Sequence, residues 1–239
     1  MDTLKIAKEK VKMIAHRGLS GLEKENTIAA FIAAGNRTYY GIECDIHLTK
    51  DNVFVVCHDD HTGRISPTKK IIRESTYEEL SQISLFGFES KTTRPYLKIP
   101  TLREYLEISK KYNKQCIIEI KCELGKKDVD NLLAEIEELD YLNNVFFISF
   151  NLENLKKIRR INKNIPLQYL TSTYTKELPE LCKKEKVDID IEYRELTLPI
   201  VEEFHSFDIK VNAWTVNNPI EALILVSWNI DYITTNILE

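Results

Sequence analysis

From Ile117 onward the chain alternates short apolar runs, rich in β-branched and aromatic residues, with amphipathic segments of helical period. This is the pattern of a parallel sheet covered by helices. The extended runs are CIIEIK, VFFISF, PLQYLT, DIDIEY, VNAWTV and DYITT, and between them lie KDVDNLLAEIEELD, LENLKKIRRI, KELPELCKKEK, LPIVEEFHSF and PIEALILVSW. The first part adds KMIAHRG, a helix near ENTIAAFIAAG, then GIECDIHLT and VFVVCHD, so nine extended runs compete for the eight positions of a barrel. VFVVCHD is the surplus run: only Asp51-Asn52 separates it from GIECDIHLT, a link that makes an antiparallel hairpin, whereas a parallel crossover needs about a dozen residues or more. The expectation is an α/β chain forming a (β/α)8 TIM barrel over residues 1–239 as a single domain.

A two-residue turn on Asp51-Asn52 sets Lys50 opposite Val53 and His58 opposite Asp45; a three-residue loop slips this register by one and turns His58 to the other face. The stretch from about 60 to 97, rich in Ser, Thr, Lys and Arg, has little periodicity. It reads as an insertion after strand 2, before the helix TLREYLEISKKYN, and long irregular insertions in compact domains are often lids. The expectation is therefore a small cap over the site. No helix follows the last strand, so the amino-terminal TLKIAKEK is expected to cover that side.

Composition narrows the function. A chain of 239 residues, 43% apolar and 29% charged, buries a large core, and a net charge of -4 with interspersed signs offers no basic footprint for nucleic acid and no polybasic tract for anionic lipid. The start, MDTLKIAKEKVKM, lacks a signal-peptide h-region, and no run approaches the roughly 18 apolar residues of a membrane span, so a cytoplasmic protein without integral membrane association is expected. The five cysteines are odd in number and lack C-x-x-C spacing, which marks them as reduced core residues. Oligomeric state is left open.

Candidate chemistry begins in GIECDI, where Glu43 and Asp45 share one face of a strand. In IIEIK, Glu119 and Lys121 share one face of a strand that is otherwise aliphatic. Buried charges demand compensation. Glu119 and Lys121 can satisfy each other; alternatively, three carboxylates from two strands with no histidine cluster suit a hard cation, Mg2+ or Ca2+. His16 and His58 both stand at strand ends, where polar barrel residues read as site candidates, while His47, His61 and His205 read as surface or packing residues. Arg17 is a candidate phosphate clamp through its planar fork, with Arg64 and Lys121 as further positive charge or, for Arg64, a solvated surface residue. Asn26 and Thr27 stand where a helix begins, so capping accounts for both, with a position facing the site as the alternative for Asn26.

Taken in order, A-H-R-G at 15–18, E-N-T at 25–27, I-E-C-D-I at 42–46, H-D at 58–59, I-P-T-L at 99–102, I-E-I-K at 118–121, S-F at 149–150 and W-T-V-N at 214–217 resemble the glycerophosphodiester phosphodiesterase family. The resemblance implies a barrel of the phospholipase C-like phosphodiesterase superfamily. It further implies His16 and His58 as acid and base, Glu43, Asp45 and Glu119 as ligands of one divalent cation, Arg17 and Lys121 as phosphate contacts, and Trp214 on the alcohol-binding side. One departure stands at the end: Y-I-T-T-N occurs where the family has isoleucine-threonine-aspartate followed by proline, so Asn236 replaces the aspartate.

The function implied is metal-dependent hydrolysis of a small-molecule glycerophosphodiester to glycerol 3-phosphate and an alcohol, by water or by a neighbouring substrate hydroxyl. A phosphodiesterase cleaving lysophospholipids or sphingolipids would need an apolar rim, for which Phe86, Phe88 and Tyr96 are candidates. A non-catalytic phosphodiester-binding module would be free to lose histidines or carboxylates, and none is missing.

Overall fold

The computed structural model describes residues 2–239. Its strands are β1 (Lys12–Ala15), β2 (Gly41–Leu48), β3 (Phe54–Val56), β4 (Leu85–Phe86), β5 (Thr93–Arg94), β6 (Gln115–Ile120), β7 (Val145–Ser149), β8 (Leu167–Thr171), β9 (Asp188–Glu192), β10 (Val211–Trp214) and β11 (Tyr232–Thr235). Its helices are α1 (Ile28–Gly35), α2 (Tyr77–Ser81), α3 (Leu102–Lys111), α4 (Lys126–Glu137), α5 (Leu152–Ile161), α6 (Leu178–Glu185), α7 (Leu198–Ser206) and α8 (Pro219–Ser227). β1, β2 and β6 to β11 run parallel, and β1 pairs with both β11 and β2, which closes the eight-stranded ring. β3 pairs antiparallel with β2, as the short Asp51-Asn52 link requires.

The helices form where the sequence supplies both an apolar face and an end. α3 opens with a reciprocal capping box of Thr101 and Glu104, buries Leu102, Tyr105 and Leu106, and closes with Lys110 and Lys111 in its last turn. α7 and α8 begin with proline in the first turn, where no amide hydrogen is needed. Strand alternation then sorts side chains between two layers. Ile42, Cys44 and Ile46 of β2 and Cys116, Ile118 and Ile120 of β6 join the main core under the helices. The intervening residues Glu43, Asp45, Ile117 and Glu119 consequently point to the barrel interior, whose lower part is filled by Ile14, Ile117, Phe146, Ile148, Leu170 and Tyr232.

One expectation of the fold needs correcting. The hairpin pairs Ile46 with Val56 and Leu48 with Phe54, one residue off the two-residue register, so Asp45 faces Cys57 and the Cys57 amide donates to the Asp45 carbonyl at 2.9 Å. The cause is a three-residue loop, Lys50-Asp51-Asn52: the Asn52 amide donates to Thr49, the Thr49 amide donates to Val53, and Asn52 takes the left-handed conformation at φ 62°. A type I turn followed by a left-handed residue is the standard three-residue hairpin. The amino-terminal segment lies against the chain after β11 without forming a helix, the Leu4 amide donating to Ile237 at 3.0 Å and the Glu239 amide to Leu4 at 2.8 Å.

The 60–97 excursion is ordered around a small core of its own, including Ile65, Ile72, Leu80, Leu85 and Leu97, which continues onto Val55 and Cys57 of the hairpin. All five cysteines are free, four of them buried. No helix among the described residues is long and apolar enough to cross a membrane.

Gly18 ties β1 to α1. Its φ is 74°, and a Cβ there would lie 2.6 Å from the backbone carbon of Ala30. Gly18→Ala is therefore expected to destabilise the fold by about 2–3 kcal/mol, read from denaturant unfolding, because both the conformation and the helix contact oppose it. Wild-type stability would show that α1 yields freely.

Candidate active site

The carboxylates converge because β2 and β6 are neighbours in register, with Asp45 beside Glu119 and Glu43 on the same face of β2. One oxygen of each of Glu43, Asp45 and Glu119 lies within 4.8 Å of the others, and the three residues are 2%, 0% and 7% exposed. Their partners come from loops. Arg17, in a left-handed backbone conformation at φ 53°, donates its amide to Glu43 Oε2 at 2.7 Å and sets its Nε 3.2 Å from Asp45 Oδ2. Asn26, also left-handed at φ 55°, donates Nδ2 to Asp45 Oδ2 at 2.7 Å, while Thr27 caps α1. Lys121 Nζ lies 2.8 Å from Glu119 Oε1 and 3.6 Å from Asp45 Oδ1.

Burial opposes ionisation of all three acids, yet the outcomes differ. Arg17 and Lys121 outweigh it at Asp45, whose carboxyl is held well below the usual carboxylate range. At Glu43 and Glu119 burial and the charge of Asp45 act together, pushing Glu43 well up and Glu119 to about 7. Glu43 Oε1 and Asp45 Oδ1 are buried without any hydrogen-bond partner. Unpartnered anionic oxygens in an all-oxygen set fit a hard divalent cation.

His16 follows β1, and its Nδ1 meets Asn236 Oδ1 at 2.7 Å. Asn236 is itself fixed, since Ser20 Oγ donates to its Oδ1 at 2.9 Å and its amide donates to Asn217 Oδ1 at 2.8 Å. Burial, reinforced by Arg17, lowers the His16 pKa to about 4. His58 reaches the site by a route other than strand pairing: β3 ends at Val56, and the chain bends away from the sheet. His47 Nε2 supports this bend at 3.1 Å from the His58 carbonyl, and His58 Nδ1 meets Asp59 Oδ1 at 2.6 Å.

His16, Arg17, Glu43, His58, Glu119 and Lys121 line one side of a pocket of about 230 Å³; Ile148, Phe150, Leu170, Asp190, Trp214 and Thr234 are among the residues of the rest. Asp45 lies buried against Arg17 and Lys121. Larger clefts of about 360 Å³ exist elsewhere, for example around Lys10, Lys12 and Lys210, but none gathers comparable chemistry. Phe86, Phe88 and Tyr96 do not form the expected rim, since none of them lines this pocket: Phe88 lines a separate cleft with Leu22 and Ala33, and Tyr96 another with Tyr77. The apolar wall instead comes from Phe150 and Trp214, whose rings meet edge to face at 5.9 Å.

Some residues escape a reading by sequence. Asp190 is 1% exposed, and its Oδ1 is buried without a partner. Its signal was the one used for Glu43, an acid in an apolar strand. His47, read as a surface or packing residue, braces the His58 backbone. Glu25 and Asp59 carry no periodic signal, yet they contact Arg17 and His58.

A closed barrel with carboxylates, histidines and cationic side chains at the carboxyl ends of its strands defines a phosphodiester-cleaving barrel enzyme. Residues 16–239 match the glycerophosphoryl diester phosphodiesterase family, and the chain belongs to that family. It is accordingly an enzyme of the phosphoric diester hydrolase class. The chain is 28% identical over 230 residues to the glycerophosphodiester phosphodiesterase of Caldanaerobacter subterraneus subsp. tengcongensis, covering 95% of this chain and 94% of that one. Among solved structures, the Thermotoga maritima glycerophosphodiester phosphodiesterase superposes with a TM-score of 0.76 at 27% identity, over 95% of this chain and 94% of that one. An Oleispira antarctica phosphodiesterase in complex with the product sn-glycerol-3-phosphate shares the fold, with a TM-score of 0.87 at 24% identity over 97% and 95% of the two chains.

Because Glu119 stands near 7 and Glu43 above the carboxylate range, cation and protons compete for the same oxygens. Mg2+ or Ca2+ affinity is therefore expected to rise as pH increases through about 7 and to weaken below it, read by calorimetry. Glu119→Gln should weaken binding and flatten this dependence. Affinity unchanged between pH 6 and 8, conditions chosen to bracket the transition at roughly one unit either side, would show that the acids are already ionised.

Proposed function

We propose that this chain hydrolyses small glycerophosphodiesters, yielding glycerol 3-phosphate and an alcohol, with Glu43, Asp45 and Glu119 holding one divalent cation, Mg2+ or Ca2+. The observation carrying this reading is that three buried carboxylates converge within 4.8 Å, two of them with unpartnered oxygens, and that Glu43 and Glu119 of this cluster line one pocket with two histidines, Arg17 and Lys121. A bound cation supplies Lewis-acid polarisation of a phosphoryl oxygen. Arg17 and Lys121 add positive charge where the phosphate binds.

The histidines differ in their support. His16 is neutral at ordinary pH, and Asn236 occupies its Nδ1, which leaves Nε2 to accept a proton from the attacking water. His58 then gives a proton to the departing alkoxide as the bond from phosphorus to the alcohol oxygen breaks. Asp59 fixes its Nδ1 and sets its ring in place. In the same pocket, Trp214 Nε1 and Asp190 Oδ1 are both buried without partners and available to the organic part of the substrate. The small pocket favours a compact polar diester over a lysophospholipid.

Chelation is expected to abolish hydrolysis of glycerophosphocholine, and Mg2+ or Ca2+ to restore it; full activity in excess chelator would end the metal assignment. His16→Ala and His58→Ala are each expected to lower kcat by about 10²-fold or more while leaving the melting temperature close to wild type. Turnover within a fewfold of wild type would remove that histidine from the mechanism.

A further inference from the structure

The 60–97 excursion sends no side chain into the pocket. It reaches the site through one residue. Arg64 Nη1 and Nη2 lie 2.8 and 2.7 Å from the two carboxylate oxygens of Glu25, a fork-to-fork pair, while its Nε lies 2.8 Å from Asp59 Oδ2. Each acid then passes the constraint on: Glu25 Oε1 also accepts from Arg17 Nη1 at 3.0 Å, and Asp59 Oδ1 holds His58 Nδ1 at 2.6 Å. We propose that Arg64 is a positioning residue through which the excursion braces the site, one guanidinium holding Glu25 and Asp59 and, through them, Arg17 and His58.

The excursion is built to hold that guanidinium still. Arg64 ends a short 3-10 turn over Thr62–Arg64, whose Thr62 hydroxyl donates to the Thr68 carbonyl at 2.5 Å and accepts from the Lys70 amide at 2.9 Å. The next residue, Ile65, is buried in the excursion core. A planar fork anchored at its base fixes two carboxylates in direction as well as distance, which an ammonium cannot do. Without Arg64, Glu25 is free to turn its whole charge on Arg17 and draw it from the pocket, and Asp59 loses the contact that orients it toward His58. Arg64 itself is 41% exposed, so its removal leaves no buried void.

The inference rests on the proposed roles of Arg17 and His58, and the test separates the two. Steady-state hydrolysis of glycerophosphocholine at saturating Mg2+ or Ca2+ is measured for wild type, Arg64→Ala, Arg64→Lys, Glu25→Gln, Asp59→Asn and His58→Ala. Arg64→Ala is expected to lower kcat about tenfold and raise KM severalfold, the scale of a lost charge-assisted contact acting on each group. Arg64→Lys recovers only part of this. Asp59→Asn reproduces mainly the kcat loss and Glu25→Gln mainly the KM rise. Millimolar guanidinium, unlike urea at equal concentration, restores activity to Arg64→Ala. In the Glu25→Gln, Asp59→Asn background, removing Arg64 costs less than about twofold, since the contacts it makes are already gone. Wild-type kinetics for Arg64→Ala beside an inactive His58→Ala would overturn the brace and leave the active-site reading standing. An undiminished loss in the double-variant background would overturn it too, by showing that Arg64 acts on substrate directly.

Discussion

Three carboxylates confined inside a barrel are the constraint around which this molecule is arranged. At separations near 5 Å, two like charges repel by about 3 kcal/mol under an effective dielectric of about 20, and desolvation adds to that. Arg17 and Lys121 lie against Asp45, and Lys121 also against Glu119, so the cations favour ionisation of Asp45 while Glu43 and Glu119 are pushed toward holding protons. The consequences spread outward. Arg17 and Asn26 take left-handed backbone conformations, and from these Arg17 turns its amide to Glu43 while Asn26 turns its side chain to Asp45. Such departures from ordinary backbone cluster where surrounding contacts over-determine them.

The parts of this arrangement carried by strands were legible before any coordinates. Period-two alternation in GIECDI and IIEIK puts Glu43, Asp45 and Glu119 on the face opposite Cys44 and Ile118, and burial of those aliphatic neighbours under helices leaves the acids only the interior. The surplus strand could also be read, since a short link cannot make a parallel crossover. Register could not. Lys50-Asp51-Asn52 supports either a two-residue or a three-residue loop, and the choice depends on whether Asn52 alone becomes left-handed, which it does. His58 escapes the penalty of the slip because the chain leaves the sheet before that residue, supported by His47.

How the loop-borne residues meet was illegible for a related reason. Glu25, Asp59 and Arg64 lie on three separate turns, and their meeting depends on where each turn ends, a quantity that alternation does not encode. Arg64 in particular could be a surface residue or a site residue on sequence alone; it is both, partly exposed yet bonded to two acids. The excursion stays ordered despite its polar composition because Ile65, Ile72, Leu80 and Leu85 pack onto Val55 and Cys57 of the hairpin, so the strand that leads into the His58 bend also carries the segment holding its partner.

The pairing of His16 with Asn236, where the family has an aspartate, follows from the same charge economy. A carboxylate at 236 would add a further buried acid near a cluster in which two carboxyls already resist ionisation, and it would stabilise the imidazolium of His16. The amide does neither of these things. Its Oδ1 still orients the ring through Nδ1 and accepts from the Ser20 hydroxyl, Asn217 Oδ1 holds the Asn236 backbone amide, and burial and Arg17 keep the ring uncharged. Asp59, on the solvent side, is where a backing carboxylate is affordable: Arg64 and His58 overcome its partial burial and hold it ionised, down to about 2. Two histidines that look alike in the sequence are thereby divided, the buried one backed by a neutral dipole and the more exposed one backed by a charge, a difference that suits the base and acid roles proposed for them.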